Sequence, residues 1–250
     1  MSKVVVVGES WFVHMIHQKG FDAFHSSEYS EGGGDFLAAL ENAGHEVTYI
    51  PSHEIHTRFP TDLAALKEIA DVVVISDVGA NSFQLAPETF SRSIPTVDKT
   101  ELVRQFTAEG GGLVMIGGYL TFTGIDARGR WGNTPLAYAL PVRLLDRDDR
   151  VELPSGAKPT VVSEHPATDG LDPVWPNLLG LNEVTQKPGS DLLAECSGYP
   201  LLVAGTYQHG RSAAFTSDIA PHWAPPEFVA WAGYRQLFDQ LMTWVAGKES

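Results

Sequence analysis

Fifteen residues constrain this chain most: Gly110-Gly111-Gly112-Leu113-Val114-Met115-Ile116-Gly117-Gly118-Tyr119-Leu120-Thr121-Phe122-Thr123-Gly124. The glycines end a helical pattern, and the apolar run behind them has the length and bulk of a strand buried on both faces of a parallel sheet. Gly117-Gly118 then turns sharply and would hold the Tyr119 side chain at the carboxyl edge of that sheet. Ligands bind at this edge in open α/β sheets. A strand, a tight small-residue turn and a projecting side chain are the parts of a nucleophile elbow, here with tyrosine where serine or cysteine would attack.

The same pattern recurs upstream. Lys3–Gly8 is a β-branched run closed by glycine, and it delivers Glu9-Ser10-Trp11. Phe36, Leu37, Leu40 and Ala43 have helical spacing, with Gly44 as the C-cap. Residues 47–50 form a second strand and 62–70 a helix; Val72–Ser76 is a third strand that delivers Asp77, Gly79 and Asn81. A helix over 100–109 leads into the strand at 113–116. This β-α-β-α-β-α-β order predicts a parallel sheet with right-handed crossovers. Beyond Gly124 the texture changes to Gly, Pro, Arg and Asp, then to short strands between 140 and 200. Residues 201–207 and 212–216 flank a hairpin turn, and a terminal helix is expected over 226–245. No repeat or low-complexity linker interrupts the chain, so one α/β domain over 1–250 is expected.

Charge narrows the function. The 250 residues carry a net charge of -14, with 17 Lys and Arg scattered without a run. Phosphate binding needs clustered cations, so nucleic-acid partners are not expected. No apolar stretch approaches the ~20 residues of a membrane span. One cysteine, Cys196, permits no internal disulfide, which fits a cytoplasmic protein. It lies outside any elbow and reads as an inert core residue. The acidic surface permits a homo-oligomer without demanding one.

Four strand ends would converge on one crevice, carrying Glu9 and Trp11, Asp77 and Asn81, Tyr119, and Asp218 with His222. Glu9 and His222 are candidates for proton transfer, and Tyr119 for a hydrogen-bond donor or acid. Asp77, Asn81 and Arg130 could position a substrate, and Trp11 and Trp223 could stack against its apolar face. Each residue also has a plainer reading: Asp and Asn after a strand serve as turn and N-cap residues, and Arg128 and Arg130 suit a surface loop. His14 and His17 would share a side if their segment were helical and could join Glu9 and His222 at a metal, but the pattern lacks a defined ligand set. No metal or cofactor is expected. Gly32-Gly33-Gly34 reads as a flexible helix entry.

Several stretches together carry a resemblance: Gly8-Glu9-Ser10-Trp11, Ser76-Asp77-Val78-Gly79-Ala80-Asn81, Gly117-Gly118-Tyr119-Leu120-Thr121-Phe122, Thr134-Pro135, Leu140-Pro141-Val142 and Pro221-His222-Trp223. On these the chain resembles the class I glutamine amidotransferase-like superfamily, and within it a group of bacterial cytoplasmic proteins related to the trehalose-utilisation family. The resemblance implies a flavodoxin-like three-layer α/β sandwich with a mostly parallel sheet, extra strands in the C-terminal half, and a site at the strand carboxyl ends. It also exposes a departure. The superfamily's amidotransferases use an elbow cysteine, a downstream histidine and a glutamate two residues later; the matching positions here hold Tyr119, His222 and Ala224. Without a thiolate the acyl-enzyme route to glutamine hydrolysis has no nucleophile. The expected function is therefore an enzyme acting on a small carbohydrate or sugar acid, or a binding protein that kept the crevice without turnover; a metal-dependent hydrolase is the weakest reading.

Overall fold

The computed structural model describes residues 1–248. In chain order its strands are β1 (Lys3–Gly8), β2 (Ser10–Lys19), β3 (Asp22–Glu31), β4 (Glu46–Ile50), β5 (Val72–Ser76), β6 (Gly112–Ile116), β7 (Val142–Leu144), β8 (Arg150–Ala157), β9 (Thr160–Val161), β10 (Leu178–Asn182), β11 (Val184–Gln186), β12 (Asp191–Cys196), β13 (Tyr199–Tyr207) and β14 (Gly210–Phe215). The α-helices are α1 (Gly34–Asn42), α2 (Ile55–Arg58), α3 (Leu63–Ile69), α4 (Asn81–Gln84), α5 (Pro87–Arg92), α6 (Lys99–Ala108), α7 (Pro226–Val229) and α8 (Ala232–Val245).

The central sheet has eight strands in the order β4-β1-β5-β6-β14-β13-β12-β9. Pairings from β4 through β14 are parallel, and β14-β13, β13-β12 and β12-β9 are antiparallel. The apolar runs of β1, β5 and β6 do not alternate with polar residues because both of their faces are covered. Val4, Val6, Val72, Val74 and Val114 pack with Phe36 of α1 and Phe238 and Leu241 of α8. Val5, Val7, Val73, Ile75 and Met115 pack on the other face with Leu66 of α3 and Val103 and Phe106 of α6. The result is the three-layer sandwich with a mostly parallel sheet and extra C-terminal strands that the sequence predicts. Between β6 and β12, two small two-stranded sheets, β10-β8 and β11-β7, build up the region over the carboxyl edge.

Two elements differ from expectation. Residues 10–31, whose histidines were read on a possible helix, form a long hairpin registered from Ser10 opposite Glu31 to Lys19 opposite Asp22. Strand alternation puts His14 and His17 on opposite faces, each hydrogen-bonded within the hairpin, His14 Nδ1 to Ser27 Oγ at 2.8 Å and His17 Nε2 to Ser26 Oγ at 2.9 Å. The shared histidine side needed for a metal site with Glu9 and His222 does not exist. The terminal helix is also broken. Trp231 takes extended backbone (ψ 134°) between α7 and α8, and its ring packs 5.7 Å from Trp175 and 6.0 Å from Phe228.

Candidate active site

The site begins where β1 ends. Gly8 has φ +109°, and a Cβ there would lie 1.9 Å from the Ser76 carbonyl oxygen, so only glycine lets β1 and β5 close up at this point. Glu9 follows in the left-handed region at φ 48°. Its N–H donates to Ser76 O at 2.9 Å, and its buried carboxylate accepts from Ser76 Oγ at 2.5 Å. Gly32 N–H donates to Glu9 O, and a Cβ on Gly32 would stand 2.8 Å from Glu9 Oε1. The glycine run thus lets backbone lie against Glu9, a closer role than the flexible helix entry expected of it.

At the end of β5, Asp77 is also left-handed, at φ 37°. Its Oδ1 accepts from Leu120 N–H at 2.7 Å and ties the β5 and β6 ends together. The elbow after β6 is only half built. Turn and projecting tyrosine are present, but residues 117–124 continue as irregular turns into a single 3-10 turn, Ile125–Ala127, rather than a helix. The left-handed backbone of an elbow occurs at Glu9 and Asp77, not at Tyr119. Beyond β14, Asp218 is buried, and its Oδ1 accepts from the N–H groups of Ile219 at 2.7 Å and Ala220 at 3.2 Å. His222 Nδ1 lies 3.9 Å from Asp218 Oδ2.

Glu9, Trp11, Asp77, Tyr119, Asp218, Pro221 and His222 line one cleft of about 360 Å³. Its floor holds three carboxyl groups. Burial raises the pKa of Glu9 well above the usual range, and the charges of Asp218 and Asp77 add to the effect. Burial and then the charge of Asp77 push Asp218 up to about 7. Asp77 is raised by burial, against the opposing pull of the Leu120 N–H and His222. Three acids in one desolvated space cannot all ionise at neutral pH, so the cluster retains protons. Among the described residues no group of three or more His, Cys, Asp and Glu side chains is arranged to hold a metal ion.

Tyr119 stands between the acids and a polar rim. Its ring meets His222 edge-on at 4.1 Å, the Arg150 guanidinium lies 4.8 Å from its centroid, and its hydroxyl donates to Glu152 Oε1 at 3.3 Å. Three expected ligand-facing residues fall elsewhere. Trp223 is buried against Gly180 and donates its Nε1–H to Glu152 Oε2 at 3.0 Å, so its faces are taken by packing. Asn81 opens α4 at the surface, because Ala80 N–H donates to Gly129 O and draws the chain away from the cleft. Arg130 is exposed at φ 61°, at the start of the turn Trp131–Asn133. Neither residue lines the cleft.

Two positioning residues carry no sequence signal. Buried Asn182 accepts from Gly118 N–H at 3.0 Å and donates to Asp149 Oδ1 at 2.8 Å. Asp149 in turn accepts from Thr123 and Gly124 N–H, each at 2.8 Å. Together they clamp the turn that carries Tyr119. Cys196 is buried on β12, donates to Ala157 O at 3.6 Å, and burial pushes its thiol up to about 11.

A parallel sheet that gathers its acids at the carboxyl edge, under a tyrosine-bearing turn, defines an α/β protein of the glutamine amidotransferase-like class. The chain belongs to the family described as "Putative glutamine amidotransferase", whose model matches residues 3–247. It is similar over 97% of its length to two solved structures that it covers to 98%: Cytoplasmic Protein STM3548 from Salmonella typhimurium, at 42% identity and TM-score 0.94, and Cytoplasmic Protein STM1381 from Salmonella typhimurium LT2, at 46% and 0.93. A ThuA-like protein from Parabacteroides merdae shares the fold at 13% identity and TM-score 0.58, over 100% of this chain and 91% of that one. No curated protein matches the chain.

Proposed function

We propose that the cleft takes a small polyhydroxylated metabolite, a sugar or sugar acid, and moves a proton on it. One observation carries this reading: Glu9, Asp77 and Asp218, delivered by three separate strand ends, share one buried cleft with His222 at its mouth. A carboxyl held near neutrality serves equally as acid or base at working pH, and such shifts concentrate at functional sites. Asp218, at about 7, is that group. Glu9, kept protonated by burial, is the complementary acid, and His222 stands 3.9 Å from Asp218. Asp77 holds the Tyr119 turn through Leu120. Trp11, 41% exposed at the rim, offers an aromatic face to the apolar side of a sugar ring. The trehalose-utilisation resemblance points to the same substrate class.

Glutamine hydrolysis does not suit this cleft despite the family's description. It holds no thiol, and the Tyr119 hydroxyl donates to Glu152 on the rim rather than to an acid of the cleft floor. That same engagement favours a second reading, a binding protein without turnover. The cytoplasmic designation of the two Salmonella proteins supports the same compartment here.

A thermal-shift screen against sugars, sugar acids, sugar phosphates, glutamine and divalent metals tests the reading, since ligands that bind the native state raise the midpoint. A shift with a sugar or sugar acid that is lost in Trp11→Ala is expected. With that ligand, Asp218→Asn and Tyr119→Phe should keep binding, and Asp218→Asn should abolish turnover. Binding without turnover in the native protein would establish the second reading, and a shift with glutamine alone would overturn both.

A further inference from the structure

The hairpin β2-β3 takes no part in either hydrophobic core: none of its residues from Trp11 to Glu31 belongs to the clusters on the two faces of the sheet. Among the described residues it pairs with no other strand, so both backbone edges are open. Its apolar side chains face outward on both sides. Ile16 is 73% exposed, Phe12 52% and Phe24 50%, Phe21 at the turn is fully exposed, and Trp11, Val13, Met15 and Tyr29 are partly so. Phe12 and Tyr29 touch the body through His53, at ring distances of 5.3 and 5.1 Å, and these contacts sit at the base of the arm.

Such an arm is not self-sufficient. A lone two-stranded hairpin is marginal in water and needs a further strand or a packed face to hold ten residue pairs in register. With ~200 Å² for a whole aromatic side chain, the five rings of the arm expose on the order of 600 Å². Val13, Met15 and Ile16 bring the apolar area, spread over both faces, to on the order of 800 Å², more than monomers ordinarily leave exposed.

Charge selects the occupant. The chain carries a net charge of -14, yet residues 11–21 contain no Asp or Glu. Two copies meeting elsewhere would oppose acidic surfaces; meeting along β2, they do not. An anionic membrane or a nucleic acid would find only Lys19 as a fixed cation between residues 10 and 31. We infer that the arm is a homo-oligomerisation element: β2 of one copy packs against β2 of a second copy, through a two-fold contact in which the same open edge and apolar face serve both. The contact also fixes Trp11, which belongs to the arm and to the cleft rim.

Light scattering on the size-excluded native protein, beside Ile16→Asp and the double variant Ile16→Asp/Phe21→Ser, tests this. A defined oligomer for the native chain and monomers for both variants, with circular dichroism and thermal midpoint of the body retained, is the expected result. A native monomer at ~100 μM would overturn the inference, that concentration being well above the Kd of a standard interface. Variants that remain oligomeric would overturn it too, because the contact would lie elsewhere, and so would polydisperse aggregates in place of a defined native oligomer.

Discussion

Glu9 and Asp77 hold left-handed backbone that costs on the order of 1–3 kcal/mol at a non-glycine residue, and both are acids on the cleft floor. Neighbouring glycines make room for them. Gly118, at φ +152°, would place a Cβ 2.7 Å from the Asp77 carboxyl group. Gly118→Ala should therefore displace Asp77, break its bond to Leu120 and lose about 1–3 kcal/mol, seen as a lower urea midpoint at unchanged slope. An unchanged midpoint would mean that the turn yields freely. At this scale the places of Glu9, Asp77 and Tyr119 were legible because each follows a strand with an unmistakable apolar run, whereas His222 stood out only by its place in a loop beyond β14. Trp223 was misread for a physical reason: a tryptophan after a loop histidine looks the same in sequence whether its ring meets solvent or, as here, Gly180 and Glu152.

Among the elements, the turn 117–124 depends on partners that are remote in sequence. Asn182, at the end of β10, bonds both the N–H and the carbonyl of Gly118 and reaches Asp149, which holds Thr123 and Gly124. Asn182→Ala would leave several buried polar groups unpaired, at roughly 1–3 kcal/mol each. It should destabilise the fold by at least ~2 kcal/mol and speed amide exchange at Gly118, Thr123 and Gly124 ahead of the sheet; uniform exchange across the sheet would refute a local clamp. The parallel strands were readable from their apolar runs and glycine ends. The arm was not, because alternation marks a strand only when one of its faces is buried, and this hairpin is exposed on both. The break before α8 was hidden by a helical pattern that runs through Trp231.

For the whole molecule, the acid cluster makes stability depend on pH. Asp218 binds its proton up to about 7 in the fold, against an ordinary value of 3.8, so between these values the native state holds more protons than the unfolded one. The Asp218 contribution to stability should then fall as pH rises from about 4 to 7, by at most ~1.4 kcal/mol per pH unit, and be spent above 7. Glu9 and Asp77, also raised, act in the same direction. Asp218→Asn should flatten the curve of midpoint against pH; an unchanged slope would assign the linkage to other groups. By itself the sequence determined the layered α/β architecture, since runs such as Val4–Val7 and Val72–Val74 can be buried only between two helical layers, and it determined which strand ends bear acids. Tertiary structure alone decided that Glu9, Asp77 and Asp218 are desolvated together, that Trp223 is packed away, and that residues 10–31 stand out as an arm. Those outcomes depend on desolvation and on contacts between segments up to some two hundred residues apart, which no local pattern encodes.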